Sequence, residues 1–120
     1  MYMELQYSEL DNNIRVIKLI GRLDIIGTGA IEIKFTGYCA GEKPRVLVDL
    51  SEVDFLASIG IRLLVLTAKS VASRGGKMTL VSPIPEVQNV LEVTGIPAII
   101  PIYSDLETAK AGILSEKFIQ

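Results

Sequence analysis

Residues 45–50, Arg45-Val46-Leu47-Val48-Asp49-Leu50, form a nearly unbroken apolar run with one carboxylate near its end. A strand that is apolar on both faces must be covered on both, which is the situation of a central strand in a parallel sheet. Further β-branched or apolar runs lie at residues 14–20, 77–81 and 98–102, with single stretches of helical spacing between them. Strands separated by single helices imply parallel neighbours joined by right-handed crossovers. Residues 2–8 alternate weakly, and Asp11-Asn12-Asn13 is a turn, because Asn and Asp tolerate left-handed backbone. Residues 2–20 therefore read as a hairpin, ended by Gly21. The expected order is β-β-α-β-α-β-α-β-α: an α/β fold with a mixed, mostly parallel central sheet, an antiparallel N-terminal edge hairpin and about four helices.

The helices carry their own punctuation. In residues 24–41, Ile25, Ile26, Ala30, Ile31, Phe35, Tyr38 and Cys39 recur near helical spacing, with Asp24 or Thr28 as the N-cap. Gly27, Gly29 and Gly37 weaken the propensity, so a loose first turn is expected. The pattern from Ser58 to Arg74 ends at Gly75-Gly76. Pro83 and Pro85 introduce a helix over residues 84–94, with Pro85 in its first turn and Gly95 past its end. The run 98–102 reads as a short edge strand, since Pro101 cannot donate to a ladder. Ser104 or Asp105 caps a last helix at residues 106–115.

Of the 120 residues, 49% are apolar and 22% charged, enough for a core in one domain over residues 1–120. Mean hydropathy is +0.42. Even so, Arg62, Lys69 and Arg74 interrupt the richest apolar stretch, far short of the roughly 20 residues of a membrane span. Twelve basic against fourteen acidic residues, a net charge of −2, disfavour direct nucleic-acid binding. With no histidine there is no Ser-His-Asp or Cys-His system and no zincin motif. One cysteine, Cys39, closes no internal disulfide and suits a reducing, cytoplasmic setting, and Met1-Tyr2-Met3-Glu4 lacks a signal-peptide pattern. Gly27-Thr28-Gly29 opens like a dinucleotide fingerprint but has Glu32 where its last glycine belongs. Arg74-Gly75-Gly76-Lys77 resembles the tail of a phosphate loop, yet Met78 replaces the magnesium-binding hydroxyl and a helix C-cap accounts for it. No cofactor, metal site or catalysis is expected.

What remains is Ser58, where the exit loop of the buried strand meets a helix N-terminus. It reads either as an N-cap or as a phosphorylation site, and the two roles are compatible, because a helix N-terminus favours an anion. In the following helix Ile61, Leu64, Val65, Ala68, Val71 and Ala72 form one stripe suited to face the sheet. A second stripe, Ile59, Leu63 and Leu66, is separated from it by Arg62, Lys69 and Ser73. That second stripe packs on a neighbouring helix or is a protein-binding patch beside Ser58; the pattern alone leaves both open.

Three segments, Gly21-Arg22-Leu23-Asp24, Val48-Asp49-Leu50-Ser51 and Asp54-Phe55-Leu56-Ala57-Ser58-Ile59-Gly60-Ile61, resemble the STAS domain of bacterial anti-sigma factor antagonists. Gly75-Gly76 and Val93-Thr94-Gly95-Ile96 extend the resemblance over nearly the whole chain. It implies a cytoplasmic switch protein without catalysis, which in unphosphorylated form binds an anti-sigma factor that is also a serine-protein kinase. The kinase would phosphorylate Ser58 and a serine phosphatase would reset it. Asp24 matches the family's loop acid, and the implied binding face is Asp24, Ala57, Ile59, Arg62, Leu63 and Leu66. Two positions depart: Ala57 stands where the family commonly has Asp, and Ile59 where it has a small polar residue. Ala57 keeps open a non-phosphorylated STAS scaffold or transport-complex subunit, and the α/β topology a nucleotide-binding module.

Overall fold

The computed structural model of the protein describes residues 3–115; Tyr2, where the first strand was expected to begin, lies outside the described residues. Five strands form one sheet and follow one another in chain order. They are β1 (Glu4–Leu10), β2 (Ile14–Leu23), β3 (Arg45–Leu56), β4 (Lys77–Val81) and β5 (Ile102–Tyr103). β1 pairs antiparallel with β2, and every later pairing is parallel. The hairpin turns at Asp11–Asn13, where Asn12 and Asn13 take φ of 66° and 60°, the left-handed backbone that asparagine accepts. The helices are α1 (Ile25–Tyr38), α2 (Ser58–Ser73), α3 (Pro85–Val93) and α4 (Leu106–Ser115).

Strand order decides where the helices go. Right-handed crossovers between strands added in one direction deliver every connecting helix to the same face. Accordingly Ile31 and Phe35 of α1, Leu64 and Val71 of α2, and Val87 and Leu91 of α3 share one core with Ile17, Leu19, Val46, Val48 and Leu50. The last helix has no further strand to feed and folds under the opposite face. There Ala109 and Ile113 cover Ile14, Val16, Leu47 and Val81. The β3 run is apolar on both sides for this reason: Val46, Val48 and Leu50 face three helices, and Leu47 faces α4. Each such aliphatic side chain, once fully buried, contributes about 1.5–3 kcal/mol.

Helix ends follow their expected signals. Pro85 is the first residue of α3, and Gly95 beyond its end takes φ of 79°. Asp105 Oδ1 accepts a hydrogen bond from Thr108 N–H at 2.8 Å, opening α4. After α2, Gly75 takes φ of 80°, and a Cβ on Gly76 would run into Pro44, so neither position accepts a side chain without strain.

Three expectations are corrected. β2 does not stop at Gly21 nor β3 at Leu50; they stay paired to Leu23 and Leu56. Two register shifts, between Lys18 and Ile20 and between Gly21 and Arg22, absorb the extra residues, and bulges of this kind bend and twist a ladder without ending it. The strand expected at 98–102 is only Ile102–Tyr103, because Gly95 and Pro97 first wind residues 96–98 into a short 3-10 turn. Ile100 is buried there as a core residue, and only the Pro101 carbonyl reaches Leu80 N–H. Finally, α1 has no loose first turn: it is regular from Ile25, capped by Asp24.

Thr79 sits in β4 with its hydroxyl buried and without a hydrogen-bond partner among the described residues. An isosteric Thr79→Val replacement removes that desolvated group, so chemical denaturation should show a gain of about 1 kcal/mol.

Candidate functional site

The extended β2–β3 ladder brings the starts of two helices together. Ala57 N–H donates to the Leu23 carbonyl at 3.0 Å, tying the last residue before α2 to the residue before Asp24. Gly60 makes the junction possible: a Cβ there would lie 2.9 Å from Leu23 Cβ and 3.0 Å from the Leu23 carbonyl oxygen. Gly27 does the same for α1, since a Cβ would collide with the Arg22 carbonyl.

The two helix starts differ in their capping. Asp24 Oδ1 accepts from Gly27 N–H at 2.8 Å, and Oδ2 lies 3.3 Å from Arg22 Nε, whose guanidinium stacks 4.1 Å over the Phe55 ring. The Gly27 N–H, and secondarily Arg22, hold the Asp24 carboxyl below the usual carboxylate range against the opposing pull of desolvation. α2 has no such cap. Its N-cap is Ala57, which has no side chain to offer, and Ser58 is the first helical residue rather than the cap that the sequence suggested. The boundary moves because β3 continues to Leu56, leaving Ala57 alone as the half-helical residue between strand and helix. Ser58 is exposed, and its hydroxyl has no hydrogen-bond partner among the described residues.

From this junction α1 and α2 diverge around a cleft of about 530 Å³. α2 lines it with Ser58, Ile59, Arg62, Leu63 and Leu66, five of the residues the sequence singled out; Asp24 and Ala57 stand outside it at the junction. The second stripe is thus divided. Leu63 is 8% exposed and belongs to the core, whereas Ile59 and Leu66, at 39% and 54%, stay open to solvent. The first stripe is corrected at one end: Ala72 is exposed, while Thr67 is buried beside Ala68. α1 supplies Thr28 and Glu32, which sequence reasoning did not place here. Thr28 is not a cap; it is 2% exposed and its hydroxyl lacks a partner among the described residues. Of the residues that recur at helical spacing in 24–41, Ile31, Phe35 and Cys39 are buried and Tyr38 is half-buried, but Ile25, Ile26 and Ala30 are exposed, so the stripe is corrected at its start.

Among the described residues no three His, Cys, Asp or Glu side chains are grouped to hold a metal ion, and no helix is long and apolar enough to cross a membrane. Cys39 lies in the core, and burial pushes its thiol up to about 11, so almost none is thiolate at neutral pH.

The STAS domain family matches residues 7–109. A Bordetella bronchiseptica relative named "Putative anti-sigma factor antagonist BtrV" is 35% identical over 71 residues, covering 59% of this chain and 60% of that protein. The chain thus spans about three fifths of that curated relative's length, and a Thermotoga neapolitana relative is covered to 58%. An anti-sigma factor antagonist from Mycobacterium paratuberculosis superposes with a TM-score of 0.85 at 24% identity, over 94% of this chain and 95% of that one. The Bacillus cell fate determinant SpoIIAA, solved in a phosphorylated form, superposes at 0.66 with 19% identity, over 91% and 99%.

Two substitutions probe the junction. Gly60→Ala should cost about 1–3 kcal/mol in urea unfolding, since the new methyl presses on Leu23. Asp24 has a folded pKa below its unfolded one, so its stabilisation is present above the unfolded value and lost as pH falls through the lowered one. Asp24→Asn keeps an oxygen acceptor for the cap but not the titration, and should flatten the loss of urea midpoint between about pH 5 and pH 2 relative to the native chain.

Proposed function

The chain belongs to the STAS domain family, and from that membership we propose that it is an anti-sigma factor antagonist working as a single domain. Its partner is an anti-sigma factor that is also a serine-protein kinase, bound while Ser58 is unmodified. The chain performs no catalysis, makes no direct nucleic-acid contact and acts in the cytoplasm. The binding face is the α1–α2 junction and cleft, with Asp24, Ala57, Ile59, Arg62, Leu63 and Leu66. The observation that carries this reading is Ser58 itself, whose unpartnered, exposed hydroxyl stands at the rim of a cleft floored by apolar side chains.

Physically, Ile59 and Leu66 supply exposed apolar area for a partner, while Leu63 shapes the floor from within the core. Phosphorylation forms a bond between Ser58 Oγ and the γ-phosphorus of ATP and breaks its bond to the bridging oxygen. ADP leaves, and the hydroxyl proton passes to a base on the kinase. The product carries about −1.5 to −2 charges where an apolar contact had been, and burying that charge opposes binding. Hydrolysis by a serine phosphatase restores the hydroxyl. A structural neighbour, SpoIIAA, exists in phosphorylated form, which supports the reading.

Incubation with ATP and the cognate kinase should place one phosphate on Ser58 by mass spectrometry. Ser58→Asp should weaken partner binding by tens of fold while Ser58→Ala retains it, and Leu66→Asp should abolish it. Equal affinity of Ser58→Ala and Ser58→Asp, with Leu66→Asp still inactive, would identify a constitutive STAS scaffold instead.

A further inference from the structure

We propose that a phosphate on Ser58 is received by the chain's own α2 N-terminus and by Arg62, so that the modified side chain folds back over the cleft. This rests on the phosphoserine reading above and says where the charge goes once it is there.

The first observation is the open helix end. Gly60 N–H and Ile61 N–H bond to the Ala57 carbonyl, but the N–H groups of Ser58 and Ile59 have no partner among the described residues. An aspartate at the cap position would take such groups with its carboxylate; Ala57 cannot. They remain free for an anion, at the positive end of a 16-residue helix. The second is Arg62, one turn further along on the same side of α2. Helical side chains lean toward the N-terminus, and residues four apart are neighbours, so Ser58 is within reach of its guanidinium. Arg62 is exposed and has no ion-pair partner among the described residues. The third is independent of α2. Thr28, on α1, is among the residues lining the same cleft, and its buried hydroxyl has no hydrogen-bond partner among the described residues. A small rotation of that hydroxyl toward the cleft would let it donate to an anion there.

The opposing charges are few. Glu32 on α1 shares the cleft and repels a phosphate. Asp24 is already committed to Gly27 N–H and Arg22. Two backbone donors, a guanidinium and a hydroxyl therefore stand against Glu32, the one carboxylate among the residues lining the cleft. In this arrangement phosphorylation does two things at once: it covers the mouth of the cleft beside Ile59, and it withdraws Arg62 from any partner.

The test uses the full chain with phosphoserine incorporated at position 58 during synthesis, which requires no kinase. Phosphorus NMR then follows the second ionisation of the phosphate against pH. Favourable donors hold it low, so Arg62→Gln should raise it by roughly half a unit or more, and Ala57→Asp, whose carboxylate takes the free N–H groups, should raise it similarly. Thr28→Val should raise it by less. A phosphate that titrates identically in the native and Arg62→Gln chains overturns the proposal. Failure of the kinase to modify Ser58 would instead refute the switch and leave this measurement standing.

Discussion

The parallel ladder between β2 and β3, carried past two register shifts to Leu23 and Leu56, fixes the geometry of everything at the carboxyl end of the sheet. Its last bond, from Ala57 N–H to the Leu23 carbonyl, leaves α1 and α2 starting side by side. Had the ladder ended at Gly21 and Leu50, each helix would have followed a separate loop. Gly60 and Gly27 are then required by distance rather than by conformation, since α2 and α1 press against the backbone at Leu23 and Arg22. The interior faces of α1, α2 and α3 follow from sequential strand order, and α4 is free to cover the other side.

Placing two helix N-termini at one junction concentrates positive partial charge there. The chain compensates one end and not the other. At α1 the carboxylate of Asp24 takes a backbone N–H and pairs with Arg22, which is itself spread over Phe55. At α2, Ala57 offers nothing, and the nearest fixed charge on the same helix face, Arg62, adds to the positive potential. The exposed hydroxyl of Ser58 thus stands where negative charge is favoured by the fold. A phosphate there would be compatible with an intact domain, which the proposed switch requires: the surface must change while the structure does not.

Much of this was legible in the sequence. The Arg45–Leu50 run announced a strand covered on both faces, and Asn12-Asn13, Pro85, Gly75-Gly76 and Gly95 marked turns and ends by local conformational rules that tertiary structure had no reason to override. The errors at residues 51–58 share one cause. Residues 51–56 pair with β2 only through bulges, and a bulge breaks the alternation by which a strand is recognised, so Ser51–Leu56 read as a loop and Ser58 as a cap. At residues 98–102 an apolar run satisfied the core without satisfying a ladder; Ile100 is buried for its side chain alone. The cleft could be read only by half. Ile59, Leu63 and Leu66 show as a stripe at helical spacing, but that Leu63 turns inward depends on how near α1 approaches, which no property of α2 encodes.

The remaining apolar surface bears on what the cleft is for. Ile33 is 86% exposed, and Ile25 and Ile26 on the same helix are nearly as open among the described residues. Single exposed isoleucines need no explanation. These, however, belong to the helix that contributes Thr28 to the cleft, and Ile59 and Leu66, which line that cleft from α2, are exposed as well. The core is already complete without them, since Ile31 and Phe35 anchor α1 to the sheet. Their exposure therefore adds nothing to folding and leaves apolar area open on both helices. A charge introduced at Ser58 enters at the rim of that area, next to Ile59, so a partner covering both helices would have to desolvate it while a partner resting on α1 alone would not. On the proposed reading, the apolar area on the two helices and the position of the hydroxyl would jointly decide which contacts a phosphate on Ser58 controls.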